Sequence, residues 1–178
     1  MQQVADRPLS ESSRTGTEQD FTALLAPLVQ PGYRLACAML HDPHGAEDVV
    51  QDASLTAWRK FGKLQDRGLI RSWFLGIVAN ECRNARRKKW VAGVTLGLPS
   101  WLTVRSAEDH LVQGADLRRA LLRLRHRDRL VVSLFFYLDM PIEDVAVVVG
   151  DSVSATRGRL YRAIKRLRPD VGLEEALK

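Results

Sequence analysis

From Phe21 onward the apolar positions recur at three- and four-residue steps, the period of an amphipathic helix: Phe21, Leu24, Leu25, Leu28 and Val29 form the first such stripe. Pro31-Gly32 predicts a break, and Tyr33 to Leu40 reads as a second helical segment. His41 to Gly45 has turn composition. Helices are expected from about Ala46 to Phe61 and from about Ile70 to Lys89, with a loop between them carrying Gly62, Asp66, Arg67 and Gly68. Residues 91–112 lose periodicity and read as a linker. The helical period resumes near Ala115 and runs to about Arg168, with breaks at Arg125–Asp128, Asp139–Pro141 and Gly150–Ser152. Val145 to Val149 is locally strand-like, but Pro141 before it and Gly150 after it mark a helix start and stop. The fold class expected is all-α: two small helical domains joined by a flexible linker. Residues 1–20, with few apolar residues and no aromatic, are expected to be a disordered tail.

Composition narrows the class. The chain has 178 residues, with 27 Lys and Arg against 21 Asp and Glu and a formal net charge of +6. Two cysteines, Cys37 and Cys82, make neither a disulfide framework nor, alone, a four-ligand zinc site. Cys37 is expected in the core and Cys82 as a partly buried free thiol. No secretory signal pattern opens the chain, and no stretch approaches 18 uninterrupted apolar residues. A soluble, cytoplasmic protein is therefore expected. His41, His44, His110 and His126 lack a nucleophile or carboxylate arrangement, and no Gly-rich phosphate loop is present, so neither an enzyme, a cofactor nor a metal is expected.

The charge is concentrated. Residues 83–89 hold Arg83, Arg86, Arg87, Lys88 and Lys89 with no acid; residues 152–168 hold six basic residues with no acid, so the rest of the chain is net acidic by five. Two basic segments on an acidic body point to two separate nucleic-acid contacts, although solvated helix ends would also carry such charge.

Residues 141–168 read as helix, tight turn, helix, with Ser152 as N-cap of the second. Val153, Thr156, Leu160, Ile164 and Leu167 share one face. Ser154, Arg157, Gly158, Tyr161, Arg162 and Lys165 share the opposite one, a small, aromatic and basic surface suited to a major groove. A plain surface helix of a bundle is the competing reading.

The run DMPIEDVAVVVGDSVSATRGRLYRAIKRLR resembles region 4 of bacterial sigma factors of the sigma-70 family, extracytoplasmic-function type. Glu143, Ala146, Gly150, Ser152, Arg159, Leu160, Arg162, Ala163 and Leu167 match, as do Ala120 to Leu124 and Asp128-Arg129 upstream. The resemblance implies that this helix-turn-helix reads the −35 promoter element. Arg157, Gly158, Tyr161 and Arg162 then lie at or near bases, Ser154 and Arg159 nearer the backbone, and Ser152 and Lys165 complete the surface. Ser154, Ala155 and Gly158 depart from the usual Gly, Thr and Ser.

The stretch AEDVVQDASLTAW places Asp48, Gln51, Asp52 and Leu55 on one side of a helix, with Ala46, Val49, Val50, Ala53 and Ala57 on the other. Phosphates would repel that acidic face, which by itself reads as solvated or as a protein contact. It resembles region 2 of the same family, and the resemblance implies docking on core RNA polymerase, on the β′ clamp helices, with the β subunit a further partner. RSWFLGIVANECRNARRKKW resembles the helix that opens the −10 element. Trp73, Leu75, Ile77, Asn80, Arg86 and Arg87 match. Trp73, Phe74, Ile77 and Val78 sit at core spacing, while Asn80, Arg83, Asn84 and Arg87 share the other face; Arg86 and Lys88 add charge. Holding an unstacked base requires polar edges and apolar wall. Asn80 is the candidate for the hydrogen bonds, and Phe61 or Leu64 for the wall.

The domains expected are a 1–20 tail, region 2 over 21–91, a linker over 92–111, region 4 over 112–170 and a 171–178 tail. The function implied is a dissociable initiation subunit that binds core polymerase, duplex DNA at −35 and single-stranded DNA at −10. Such elements usually lie 16–18 base pairs apart, which two domains on a long linker suit. An anti-sigma factor is a partner the resemblance allows and the sequence does not show. The alternative is a stand-alone helix-turn-helix regulator that never engages polymerase. An RNA-binding module would need more exposed aromatics among the basic residues than Tyr161.

Overall fold

The computed structural model describes residues 11–91 and 120–171. Helices α1 (Glu11–Leu40), α2 (Pro43–Lys60) and α3 (Ile70–Val91) pack on one another as a three-helix unit, with two short 3-10 turns, Phe61–Lys63 and Arg67–Leu69, between α2 and α3. The second part begins with a helical stretch at 120–123. It continues with α4 (His126–Val132), a wide π turn (Ser133–Tyr137), α5 (Ile142–Val149) and α6 (Val153–Val171). No strand occurs among the described residues. The expected linker, with Trp90 and Trp101, falls on residues whose side chains lie outside the described ones.

α1 departs from two expectations. It starts at Glu11, inside the segment read as a tail, and it runs without interruption through Pro27, Pro31 and Gly32. A proline inside a helix loses one hydrogen bond and costs about 3 kcal/mol. Packing outweighs that loss here, because Leu25, Leu35, Ala36 and Met39 are all buried against α2 and α3. Gly32 is part of the same fit: a Cβ there would lie 3.0 Å from Phe74 Cε1, so the ring packs against bare backbone. Once packing fixes the middle of α1, adding residues at its start gains one hydrogen bond for each residue ordered. By length and hydropathy alone, residues Glu18–Leu40 would also suit a membrane span; in this fold their apolar face closes the core.

α1 ends at His41, which takes a left-handed conformation (φ 55°) and donates its backbone N–H to Cys37 O at 2.9 Å. Asp42 then caps α2, accepting from Gly45 N at 3.1 Å, with Pro43 at the first helical position. In the second part, the αL residue Gly150 (φ 69°) ends α5, and the N–H groups of Gly150 and Asp151 both reach Ala146 O. Ser152 starts α6 by accepting from Ala155 N at 3.2 Å. The fully buried Thr156 returns its hydroxyl to Ser152 O at 2.9 Å.

The two parts share a single apolar cluster that runs from Leu25 to Leu167. α3 is covered on two sides, by α1 and α2 and by α5, which explains why Leu75 and Ala79 are buried with no place in a two-faced reading of that helix. A Cβ on Gly76 would lie 3.9 Å from Val148 O. Three arginines reach across. Arg71 Nη2 donates to Leu138 O at 2.6 Å. Arg34 lies over the Tyr137 ring, 4.4 Å from its centroid. Arg129 donates to Met39 O at 3.3 Å.

Arg129 is buried, yet no carboxylate among the described residues pairs with it. Its Nε donates to Leu121 O. Nη1 donates to Met39 O and His41 Nε2, and Nη2 to Leu122 O and Leu124 O. All five N–H donors of the guanidinium therefore meet an acceptor. Since Arg only donates, His41 accepts through the Nε2 lone pair. Burial first, and then Arg86, push the Arg129 pKa down to about 10, which still leaves it charged at neutral pH.

Candidate nucleic-acid interface

α6 presents the two faces that its periodicity predicts. Thr156, Leu160, Ala163 and Leu167 are buried, while Ser154, Arg157, Tyr161, Arg162 and Lys165 are exposed and Gly158 is half-buried. Tyr161 is the most exposed large hydrophobic residue among the described ones, at 69%. Gly158 has a local use: a Cβ there would come within 3.3 Å of Arg162 Nη1, so the guanidinium lies against the helix backbone. Arg157 pairs with Glu143 of α5 at 3.2 Å; both side chains are about two-thirds exposed, so that contact holds them weakly and either can leave it.

Arg159, expected near the DNA backbone, is paired within the protein. It lies between Asp128 Oδ1 at 3.4 Å and Asp151 Oδ2 at 3.3 Å, with 24% of its side chain exposed. Arg166 is drawn to the other oxygen of Asp128 at 2.7 Å. Ser152 is exposed but is occupied as the N-cap. These arginines, with Arg125, His126, Arg127, Asp128 and Arg162, line an open cavity of about 420 Å³ beside α6. Local sequence pattern could not reveal the pairing of Asp128 with Arg159, because the two lie 31 residues apart.

His126 is uncharged at neutral pH. Burial above all, then Arg86, Arg129, Arg83 and Arg127, push its pKa down to about 4. Its Nε2 is buried and has no hydrogen-bond partner among the described residues. Arg83 and Arg86 of α3 thus act on the same point as the arginines of α4, so the second part of the chain draws up to the basic end of α3.

On α3, Asn80, Arg83, Arg87 and Lys88 are exposed, and Asn84 and Arg86 are half-buried. Asn84 Nδ2 donates to Glu81 Oε2 at 3.2 Å. Phe61 and Leu64, the candidates for the apolar wall, differ in exposure. Phe61 is buried: Phe21 meets it edge-on, with centroids 5.1 Å apart, and Arg67 lies over its ring at 4.6 Å. Its faces are therefore taken, and Leu64, half-buried, is the member of that pair left near the surface. Trp73 is half-buried and packs against the core.

On α2, Asp48, Gln51, Asp52 and Leu55 are all exposed in one stripe, and Ala46, Val49, Val50, Ala53 and Ala57 are all buried. Leu55 is 54% exposed, an apolar residue inside an acidic surface. The cysteines reverse their expected places. Cys82 is fully buried, and burial pushes its thiol pKa up to about 12, whereas Cys37 is half-buried. No group of three or more metal-ligating side chains occurs among the described residues.

A chain whose described residues are helical, with a capped helix-turn-helix, a basic reading face and a second basic helix, is of the nucleic-acid-binding class. The Sigma-70 region 2 family model matches residues 24–91, and the Sigma-70, region 4 model matches residues 115–167. These matches stand in chain order and together span more than half of the chain, which belongs to the sigma-70 family, in its extracytoplasmic-function group. It is 28% identical over 146 residues to RNA polymerase sigma factor SigV of Bacillus subtilis, covering 82% of this chain and 87% of that one. It is 26% identical over 179 residues to the RNA polymerase sigma-H factor of Pseudomonas aeruginosa, covering 90% and 91%. In fold it is similar to the sigma factor RpoE of Bartonella quintana, solved in complex with the anti-sigma factor NepR. That likeness has a TM-score of 0.75 and 23% identity, covering 88% of this chain and 99% of that one. It is also similar to CnrH, solved with the cytosolic domain of CnrY, with a TM-score of 0.65 and 23% identity, covering 90% and 93%.

Proposed function

We propose that this promoter-recognising initiation subunit works through three surfaces, each supplied by one helix. The acidic stripe of α2, Asp48, Gln51, Asp52 and Leu55, docks on core RNA polymerase. The basic end of α3, with Asn80, Arg83, Asn84, Arg86, Arg87 and Lys88, holds the melted −10 strand, and Leu64 supplies apolar contact. The exposed face of α6, Ser154, Arg157, Gly158, Tyr161, Arg162 and Lys165, reads the −35 duplex. Region 2 over residues 21–91 and region 4 over residues 112–170 are the working units.

The observation that carries this reading is that both family matches fall on helices whose exposed faces have the required character. The α2 face is acidic, suited to a protein, and the α3 and α6 faces are basic, suited to phosphate and base edges. A stand-alone regulator would have no use for region 2. The subunit carries out no reaction of its own and acts in the cytoplasm, where polymerase and chromosome meet. An anti-sigma factor completes the partners the family resemblance implies.

Transcription reconstituted from purified core polymerase and this protein tests the reading. Core plus protein initiates from a subset of promoters in a genomic library, and Asp48→Arg abolishes that activity without lowering the thermal midpoint. Initiation at no promoter overturns the assignment.

A further inference from the structure

Arg159, Arg162 and Arg166 follow one another at i, i+3 and i+7 and so form a row along one side of α6. The outer two are tied to one carboxylate. Asp128 Oδ1 receives Arg159 and Oδ2 receives Arg166, while the Asp128 side chain is only 9% exposed. Asp151 holds Arg159 from its other side. Arg162, in the middle, reaches neither acid; it lies exposed over Gly158. Asp128 is the one carboxylate among the described residues that line this arginine-rich cavity.

We infer that Asp128 is a positioning and specificity-determining residue for −35 recognition: it withholds Arg159 and Arg166 from DNA phosphates, so that Arg162 and Arg157 carry the contact. The inference rests on the assignment of α6 to the −35 duplex. The reason is electrostatic. A free arginine that neutralises a phosphate releases condensed counterions and adds affinity whatever the base sequence. An arginine already paired with a buried carboxylate must give up one anion to meet another, and gains little. Each arginine withheld therefore lowers sequence-independent binding, while a base contact made by its neighbour is kept. The Asp128 carboxylate is buried, so its pair with Arg159 is screened less than a surface pair, while Arg166, 53% exposed, is held from one end.

The test is holoenzyme binding to a promoter and to the same promoter with a scrambled −35 element, over a range of salt concentrations. Asp128→Asn keeps the shape and removes the charge. It raises affinity for the scrambled promoter about 3- to 10-fold at low salt, and the salt dependence steepens by about 0.9 per phosphate gained. Discrimination between the two promoters falls. Asp128→Glu restores both quantities towards wild type. Arg166→Gln changes little in the wild type but removes part of the gain in the Asp128→Asn protein, a coupling that a merely structural role would not produce. Thermal midpoints confirm that the variants are folded. If Asp128→Asn loses affinity for both promoters equally with an unchanged salt slope, Asp128 is structural only and the inference fails. If instead the wild-type holoenzyme shows no −35 discrimination, the assignment of α6 fails and takes the inference with it.

Discussion

Arg71 Nη2 lies 2.6 Å from the carbonyl oxygen of Leu138, which ties the first turn of α3 in region 2 to the turn that precedes α5 in region 4. Together with Arg34 on Tyr137 and Arg129 on Met39, this contact holds the two regions side by side. Promoter elements 16–18 base pairs apart lie roughly 55–60 Å from each other at about 3.4 Å per base pair. Helices in contact cannot serve both elements at that distance. The 28 residues from 92 to 119 reach at most about 90–100 Å when extended, so the chain allows the regions to separate.

A covalent clamp checks that separation. Gly76→Cys with Val148→Cys, in a Cys37→Ser background, places two thiols across the contact of α3 with α5. The oxidised protein is expected to form holoenzyme that fails to initiate at a normally spaced promoter, and a reductant restores activity. Full activity of the oxidised form would show that the contact survives initiation.

Arg129 satisfies five acceptors at once, so its loss leaves carbonyls of both regions unpaired at about 1–3 kcal/mol for each that stays buried. Arg129→Met is expected to destabilise the chain by about 3 kcal/mol in urea unfolding. Arg129→Lys recovers little of it, since an ammonium cannot address the same five sites.

His126 gives stability a pH dependence with a definite sign. Its folded pKa of about 4 lies below the ordinary value of 6.5, so between these values the unfolded chain binds more protons. The stability that neutral His126 preserves is fully present above about pH 6.5 and is lost as pH falls towards 4. The thermal midpoint of the wild type should therefore fall more steeply across that window than that of His126→Gln.

Arg162→Ala tests the middle arginine of the α6 row. If it contacts a base, the substitution costs about 1–3 kcal/mol of binding and relaxes preference at one −35 position. A uniform loss over all −35 sequences, with a salt slope shallower by about one, would reassign Arg162 to phosphate.

The faces of α2 and α6, the stop at Gly150 and the cap at Ser152 were legible because each depends on spacing within one helix. What spacing could not supply was any relation between helices distant in sequence. Pro31-Gly32 reads as a break until Phe74 is seen to rest on the glycine. Nothing in the spacing around Phe61 shows that Phe21 and Arg67 pack against its ring. Arg159 looks like its basic neighbours in the sequence, and only Asp128 and Asp151 set it apart. The burial of Leu75 and Ala79 likewise depends on α5, far along the chain.

The apolar cluster shared by the two regions has a consequence for assembly. Whatever fraction of the free protein is open sets how tightly it binds any partner that requires the open form, since apparent affinity scales with the competent fraction. The packing of α3 on α5 therefore acts as a setting on promoter engagement. Every 1.4 kcal/mol added to that packing lowers the open fraction, and with it the apparent affinity for a promoter that needs both regions apart, about tenfold, with no change at any surface that touches polymerase or DNA.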